Sequence, residues 1–352
     1  MRVGLFLVSA GFPGQSHTEV LERTVTASIA AESAGFDSVW VAEHHFMSYG
    51  LCPAALTLAG HLLGRTTRIS VGTAVSVLTT QHPMAVAEQA NLLDQVSNGR
   101  FRLGVGRGGP WVDLEVFGTG LARYSEGFDE AVELLLRALR GGRVDADGQQ
   151  FRFREVAMVP EPRTLPRLPV TLAATSEQTL ALAAHHGLGL LLGMHQTAQE
   201  QATMLRRYRE LTPPGGTDGA EHVVTGVAHV ADSVAEARRE VCAWLPAWLG
   251  PGLAGYRPLD GHRAPRRDVR GYTQFLIDTH AVGDPEHCAA KLDEQRTTTG
   301  AAEVVLLVET TGERRATLDN IARLGAQVLP RLRTRVSSPQ TPGTGSTVEP
   351  GV

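Results

Sequence analysis

RISVGTAVSVLTTQHPMAVAEQANLLDQVSNGRFRLGVG, residues 68–106, is the stretch that most directly reveals the fold. Its first part, RISVGTAVSVLT, is rich in β-branched and apolar residues and predicts a buried strand. His82-Pro83 forms a turn before a helix-length run, MAVAEQANLLDQV, which ends at the stop signal SNG. FRLGVG then predicts another strand. The order strand, turn, helix, strand is the unit from which parallel sheets are built.

The same alternation continues along the whole chain. Strands are predicted at 2–9, 37–42, 68–79, 101–106, 168–174, 188–193, 222–230 and 303–309. Helices are predicted at 17–35, 53–66, 84–99, 125–141, 176–187, 198–211, 233–249, 283–300 and 313–332, with Gly35 as a C-cap. About eight strand–helix units match an α/β fold, a (β/α)8 TIM barrel with insertions. A doubly wound sheet is the competing architecture, but no GxGxxG follows the first strand.

Three segments interrupt the alternation. Turn signals and alternating residues at about 141–163 predict an antiparallel hairpin insertion. Residues 250–268 form a long stretch rich in Gly, Pro and Arg, and a loop of that length is usually functional or disordered. The low-complexity tail, 333–352, is predicted to be disordered, which leaves one domain over 1–332.

Bulk composition narrows the class of protein. The chain has 352 residues, 42% of them hydrophobic and 20% charged, and this is typical of a soluble globular protein. The net charge of −4 does not suggest a nucleic-acid partner. Cys52, Cys242 and Cys288 lack CxxC spacing and predict reduced thiols in the cytoplasm. The N-terminal apolar run is too short to span a membrane, so no membrane partner is expected.

WVAEHHF, residues 40–46, ends a predicted strand in an acid and two imidazoles. TIM-barrel active sites lie at this end of the strands. Side chains alternate along extended backbone, so His44 should point away from Glu43 and His45. Imidazole suits general acid/base work, although either histidine alone could be structural. A metal site is disfavoured, because HH does not put both imidazoles on one face and no HExxH or CxxC completes it.

Two further strand ends carry groups that bind anions. LGVGRGG, residues 103–109, places Arg107 among glycines, and an Arg fork suits phosphate. LAATSEQTLAL, residues 172–182, begins a helix at Thr175-Ser176, with Ser176 and Thr179 on its first turn. A plain turn and a plain N-cap are the alternative interpretations. In one barrel, however, the two segments together suggest a phosphate site at a helix N-terminus.

The motifs VAEHHF, VGTAVSVLTTQHP, LLDQVSNGRFRLGVGRG and VTLAATSEQT resemble, in order and spacing, those of the bacterial luciferase-like flavin-dependent monooxygenases. VGDPEHCAAKL and the closing VLPRL resemble the last unit of that family, so the similarity covers roughly residues 1–332. The resemblance implies a homodimeric TIM barrel that takes reduced FMN (FMNH2) from a separate flavin reductase. The flavin would react with O2 to give a C4a-(hydro)peroxide, which attacks a small-molecule substrate, an aldehyde or a larger organic molecule such as a natural product.

The resemblance also assigns cofactor contacts. It carries the FMN phosphate site onto Arg107, Ser176 and Thr179, with the backbone at Thr175, where luciferase has an acid. It assigns Arg123 to the cofactor site less directly, because the segment after Phe117 is shorter in this chain than in the family. The non-proline cis peptide beside the flavin ring would fall at Ala74–Val75. Gly106 stands where the luciferase α chain often has cysteine, and is expected to open room beside the ring.

The catalytic group implied by the resemblance is the Glu43-His44-His45 string. His44 matches the histidine with an acid/base role in luciferase, and the three residues would form the floor of the flavin–oxygen site. Residues about 250–272 occupy the place of the mobile lid of the family.

Other functions remain open. The same barrel serves deazaflavin (F420)-dependent hydride-transfer oxidoreductases, which need no oxygen. A non-catalytic, flavin-binding partner subunit is a further alternative, but the presence of His44, Arg107, Ser176 and Thr179 together argues against it. A barrel metal hydrolase lacks its ligand pattern.

Overall fold

The computed structural model describes residues 1–214, 220–259 and 268–336. In chain order the strands are β1 (Arg2–Leu7), β2 (Ser38–Val41), β3 (Ser70–Thr73), β4 (Ser76–Val77), β5 (Phe101–Gly106), β6 (Arg143–Asp147), β7 (Arg152–Ala157), β8 (Val170–Ala173), β9 (Gly189–Leu192), β10 (Val223–Val230), β11 (Ala281–Gly283) and β12 (Glu303–Leu307).

Eight of these strands form a closed parallel barrel. The order around it is β1, β2, β3, β5, β8, β9, β10 and β12. Leu5 of β1 pairs with Val39 of β2 on one side and with Leu306 of β12 on the other, which closes the barrel. The predicted TIM barrel is therefore confirmed.

The helices surround this barrel. They are α1 (His17–Ala34), α2 (Ala55–Arg65), α3 (Pro83–Val96), α4 (Asp113–Val116), α5 (Gly120–Ser125), α6 (Phe128–Ala138), α7 (Glu177–His185), α8 (Ala198–Leu211), α9 (Val234–Ala254), α10 (Val269–Thr279), α11 (Pro285–Thr299), α12 (Arg314–Arg323) and α13 (Leu329–Val336). A capping box between Ser16 and Glu19 opens α1, and Gly35, at φ 84, ends it as predicted.

The second half of the chain differs in detail from the expectation. The helix predicted at 233–249 continues to Ala254 through Pro246 and Pro251, because buried Leu245, Trp248 and Leu249 keep its inner face packed. The helix α10 and the short strand β11, which pairs with β10, were not expected from the pattern. The closing helix is interrupted by a π-helical turn at Leu324–Val328.

Side chains of each barrel strand alternate between two cores. Val39 and Val41 of β2 pack with the surrounding helices, whereas Trp40 between them points into the barrel. Trp40 is joined there by buried Ala74 and Leu191 and by half-buried Phe6. The barrel is thus a filled core beneath its carboxyl end, as in other TIM barrels.

The insertions lie outside this barrel. β6 and β7 pair antiparallel as a hairpin between α6 and β8. Residues 260–267 of the expected lid and residues 337–352 of the expected tail lie outside the described residues. Over the described ranges, no helix is long and apolar enough to cross a bilayer.

Candidate functional site

The predicted site residues lie at the carboxyl ends of four neighbouring barrel strands. Glu43 follows β2, Ala74–Val75 follows β3, Arg107 follows β5 and Ser176 follows β8. Because β2, β3, β5 and β8 are consecutive around the barrel, these residues share one side of its mouth. The fold therefore gathers segments that are far apart in the chain.

Glu43 is a buried carboxylate whose oxygens are occupied by bonds. It accepts hydrogen bonds from the backbone N–H groups of Ala55 (3.0 Å) and Val77 (3.0 Å) and from the Gln81 amide (3.2 Å). His45 Nε2 lies 3.4 Å from Glu43 Oε1. Glu43 therefore ties the end of β2 to the start of α2 and to the segment that follows Ala74–Val75.

His44 lies beside Glu43 but has a different environment. Its backbone N–H donates to the carbonyl of Cys52 (2.9 Å), and its ring makes edge contacts with Tyr49 (5.0 Å) and Tyr256 (6.5 Å between centroids). Its Nδ1 atom is buried, and no group among the described residues bonds to it. Burial, and secondarily the neighbouring His45, lower the pKa of His44 to about 4. His44 is therefore a neutral imidazole whose buried Nδ1 lies beside Gly50 and has no hydrogen-bond partner among the described residues.

The two imidazoles point in different directions. His45 turns to Glu43 and packs its ring edge against Phe117, with 5.0 Å between centroids, whereas His44 turns to the tyrosines. This divergence is what side-chain alternation along extended backbone predicts.

The guanidinium of Arg107 has buried N–H donors that are not used in hydrogen bonds with the described residues. It lies over the rings of Phe128 (4.9 Å) and Tyr124 (5.7 Å). The closest carboxylate contact is long, 3.8 Å between Nη2 and Asp129 Oδ1. Within the described part of the chain, Nε and Nη2 have no hydrogen-bond partner although both are buried. Because such orphaned donors are costly, the arrangement fits an anionic ligand.

The N-terminus of α7 lies beside this guanidinium. Ser176 Oγ accepts the N–H of Thr179 (3.3 Å) and lies 3.0 Å from its hydroxyl. Gln178 on the same turn donates to Asp129 Oδ2 (3.3 Å), so Asp129 connects Arg107 with α7. Thr175, just before the helix, is exposed. Arg107, Ser176 and Thr179 thus lie in one region, as a phosphate site requires.

The segment after β3 reaches over the end of β5. The peptide bond between Ala74 and Val75 is cis. A Cβ atom on Gly106 would lie only 2.7 Å from Val75 Cγ2 and 3.3 Å from Ala173 Cβ. The expectation that Gly106 opens room beside a ligand is therefore wrong, because the Val75 side chain fills that space.

Arg123 does not join the Arg107 group. Its Nε donates to Gln150 Oε1 (3.3 Å) and its guanidinium stacks on Phe151, 4.1 Å from the ring centroid. Burial lowers its pKa. Arg123 is thus directed to the segment between β6 and β7, and its predicted role as a cofactor ligand has no geometric support from these contacts.

Several contacts of the site were missed by the sequence interpretation. The rings of Tyr124 and Phe128 support Arg107, and Asp129 approaches it. Tyr49 and Tyr256 enclose His44. One signal for these missed contacts is present in the sequence. It is that Tyr124, Phe128 and Asp129 lie near the start of a helix that follows Arg107. The described residues contain no group of three His, Cys, Asp or Glu side chains able to hold a metal ion.

Known proteins resemble this chain over most of its length. The family model described as luciferase-like monooxygenase matches residues 1–303. The alkanal monooxygenase alpha chain of the Kryptophanaron alfredi symbiont is 29% identical over 358 residues, covering 95% of this chain and 99% of that protein. The corresponding chain of Photorhabdus luminescens is 28% identical over 359 residues, covering 95% and 98%.

Solved structures share the fold. Monooxygenase RslO1 from Streptomyces bottropensis has a TM-score of 0.82 at 23% identity, covering 94% of this chain and 99% of that one. The oxygenating constituent of 3,6-diketocamphane monooxygenase from Pseudomonas putida, in complex with FMN, scores 0.73 at 19% identity, covering 94% and 98%. An F420-dependent secondary alcohol dehydrogenase scores 0.71 at 17% identity, covering 94% and 99%.

Proposed function

The chain belongs to the luciferase-like monooxygenase family, and on that premise we propose that it is a two-component monooxygenase that uses FMNH2 and O2. Membership confirms the predicted enzyme class, a luciferase-like flavin-dependent oxidoreductase. The proposal adds a separate flavin reductase, a homodimeric state and a cytoplasmic location. It also adds a substrate that is an aldehyde or a larger organic molecule, as the name of the alkanal monooxygenase relatives suggests.

The observation that carries the proposal is that Nε and Nη2 of Arg107 are buried without a hydrogen-bond partner among the described residues, with only a long contact from Nη2 to Asp129. With the hydroxyls of Ser176 and Thr179 at the start of α7, these nitrogens offer several donors to one anion. The phosphate of FMN would satisfy these donors, so the residues present fit the cofactor. The backbone at Thr175 and the Ala74–Val75 segment would lie along the remainder of the flavin. When bound, reduced FMN supplies the electrons with which O2 is activated.

His44 is the group that would move a proton. Its ring is neutral over the physiological pH range, since the pKa is lowered to about 4, and Nδ1 is unpartnered in the surroundings described. A neutral imidazole can accept a proton from an acidic group bound at the mouth and later return it. Glu43 and His45 act as positioning residues, because Glu43 anchors the loop through the N–H groups of Ala55 and Val77.

Backbone pairing across the mouth would limit access of water. Val112 N–H donates to the Arg257 carbonyl (3.0 Å), and Leu259 N–H donates to the Pro110 carbonyl (2.7 Å). This two-strand bridge brings Trp111 within 4.9 Å of Tyr256, whose ring also contacts His44. A bridged segment above His44 would slow wasteful release of activated oxygen species.

A single-turnover experiment tests the proposal. Anaerobic protein with FMNH2 is mixed with oxygenated buffer while the flavin absorbance is followed. We expect a long-lived species whose spectrum differs from those of reduced and oxidised FMN. Oxidation as fast as that of free FMNH2 would contradict the proposal and direct attention to binding of F420, the alternative cofactor.

A further inference from the structure

Exposed aromatic side chains line the rim of the proposed site. Phe46 is 61% exposed and Phe117 is 46% exposed, although both are large apolar residues. Their ring centroids lie 5.7 Å apart with 35° between the planes. His45 packs against both rings, at 6.0 Å from Phe46 and 5.0 Å from Phe117. The aromatic rim, defined as Phe46 and Phe117, therefore lies against His45, the last residue of the Glu43-His44-His45 string.

The backbone of Phe46 adopts an unusual conformation to present this ring. Its φ of 58° lies in the left-handed region, which bulky residues seldom occupy. Such conformations persist where the surrounding structure imposes them, and they are concentrated at functional sites. An exposed phenyl ring held in this way, with a second exposed ring beside it, is a candidate contact for a ligand.

A second aromatic group lies on the other side of the same loop. Trp111 and Tyr256 are 4.9 Å apart, and Tyr256 contacts the His44 ring. A Cβ atom on Gly255 would lie 3.0 Å from Met47 Cβ, so the segment that carries Tyr256 packs against the loop that carries Phe46. Aromatic rings thus flank the two histidines from both sides.

We propose that this site takes a substrate with a flat aromatic ring system, which packs on Phe46 and Phe117 beside His45. The inference rests on the proposed function and specifies its substrate class. Aromatic pairs gain energy from offset or edge contacts beyond the apolar area that they bury. A rigid ring also loses less conformational freedom on binding than a flexible alkyl chain. The rim therefore favours fused-ring aromatic compounds over straight-chain aldehydes.

Binding of two probe aldehydes to the flavin-free protein tests the inference without requiring turnover. We expect 2-naphthaldehyde to bind roughly tenfold more tightly than decanal, measured by titration calorimetry. Phe117→Ala should weaken naphthaldehyde binding about tenfold and decanal binding less than threefold. Phe117→Leu keeps an apolar side chain and so preserves the fold, and it should show the same selective loss.

Val116→Ala is the matched control, because Val116 precedes Phe117 and is 57% exposed. It should leave both affinities unchanged. Equal losses for the two probes, equal behaviour of Phe117→Ala and Val116→Ala, or tighter binding of decanal by the unaltered protein would overturn the inference. Conversion of a dimer into monomers by Phe46→Ala or Phe117→Ala would also overturn it, because the rim would then be a subunit contact.

The outcome for the substrate class is separable from that for the proposed function. The single-turnover experiment contains no aldehyde, so formation of the oxygenated flavin species tests the proposed function alone. If the unaltered protein gives no such species but binds naphthaldehyde selectively, the monooxygenase proposal fails and the aromatic site stands. If the species forms but the protein does not bind naphthaldehyde selectively, the monooxygenase proposal stands and the aromatic site fails.

Discussion

Two sides of the same barrel mouth differ in how their buried histidines are bonded. On the β10–β12 side, His229 bonds through both ring nitrogens, to Thr310 Oγ1 (2.8 Å) and to Glu240 Oε2 (2.6 Å). Glu309 there accepts N–H groups of Val8 (2.7 Å), Ser9 (3.1 Å) and Ala10 (3.1 Å). On the β2–β5 side, His44 and Arg107 keep buried nitrogens that no described group bonds.

We propose that the difference separates structural groups from ligand-binding groups at the barrel mouth. A buried polar atom without a partner costs roughly 1–3 kcal/mol. Proteins retain such costs mainly where a ligand supplies the missing partner. Both sides carry charged or titratable residues at strand ends, so residue type alone does not distinguish them. The bonding does, and it predicts which substitutions reduce function and which reduce stability.

His44→Ala should have the largest effect on function. We expect turnover to fall about 10²–10⁴-fold, because positioned proton transfer is lost. FMN affinity should change little, and the unfolding temperature should fall only through the lost ring contacts with Tyr49 and Tyr256, since no described group bonds to Nδ1 of His44. Single-turnover kinetics measure the loss of turnover, and flavin fluorescence titration measures the affinity for FMN. The exposed His61 provides the control, His61→Ala. A fall in FMN affinity equal to the fall in turnover would remove His44 from the proton-transfer role.

Glu309→Ala should have the largest effect on stability. The change leaves Arg23, 1% exposed, without its carboxylate and leaves three backbone N–H groups unsatisfied. Breaking a buried ion pair in this way costs roughly 3–5 kcal/mol. Urea unfolding measures the loss, with the exposed Glu313→Ala as the matched control. A loss no larger than that of His44→Ala would show that the two sides do not differ in the manner described.

Arg107→Ala should weaken binding of FMN about 10- to 100-fold, because a charge-assisted phosphate contact disappears. Riboflavin, which has no phosphate, should bind the variant and the unaltered protein with nearly equal affinity. Arg137→Ala is the control, since Arg137 is exposed and paired with Asp145 at 2.8 Å. If FMN affinity does not change, Arg107 is not part of the phosphate site.

The pH dependence of stability should show the smallest effect. The ordinary pKa of histidine is about 6.5, but that of His44 is lowered to about 4 in the folded protein. Between these values the unfolded chain binds the proton and the folded protein does not, so stability falls as the pH falls. Between pH 7 and pH 5, the free energy of unfolding measured in urea should fall by about 1–2 kcal/mol more in the unaltered protein than in His44→Gln. An identical pH dependence in both would mean that His44 is protonated normally.

Local sequence patterns predicted the framework correctly but not every contact. The eight barrel strands follow from apolar runs separated by amphipathic helices, and the strand-end position of Glu43-His44-His45 follows from the same pattern. The contacts of the Arg123 side chain do not follow from the local pattern, because it stacks on Phe151, which is distant in sequence. Nor does the environment of Gly106, which depends on where the segment after β3 places Val75.

The sequence by itself determined the barrel, the strand ends at which polar residues gather and the family to which the chain belongs. These properties follow from periodicity and short motifs, which are local. Only the tertiary structure decided that Glu43 is bonded by N–H groups of two other segments, and that Nε and Nη2 of Arg107 lack hydrogen-bond partners in the part of the chain described. Whether a buried polar group has a partner depends on side chains contributed by other strands and helices, and no local pattern contains that information.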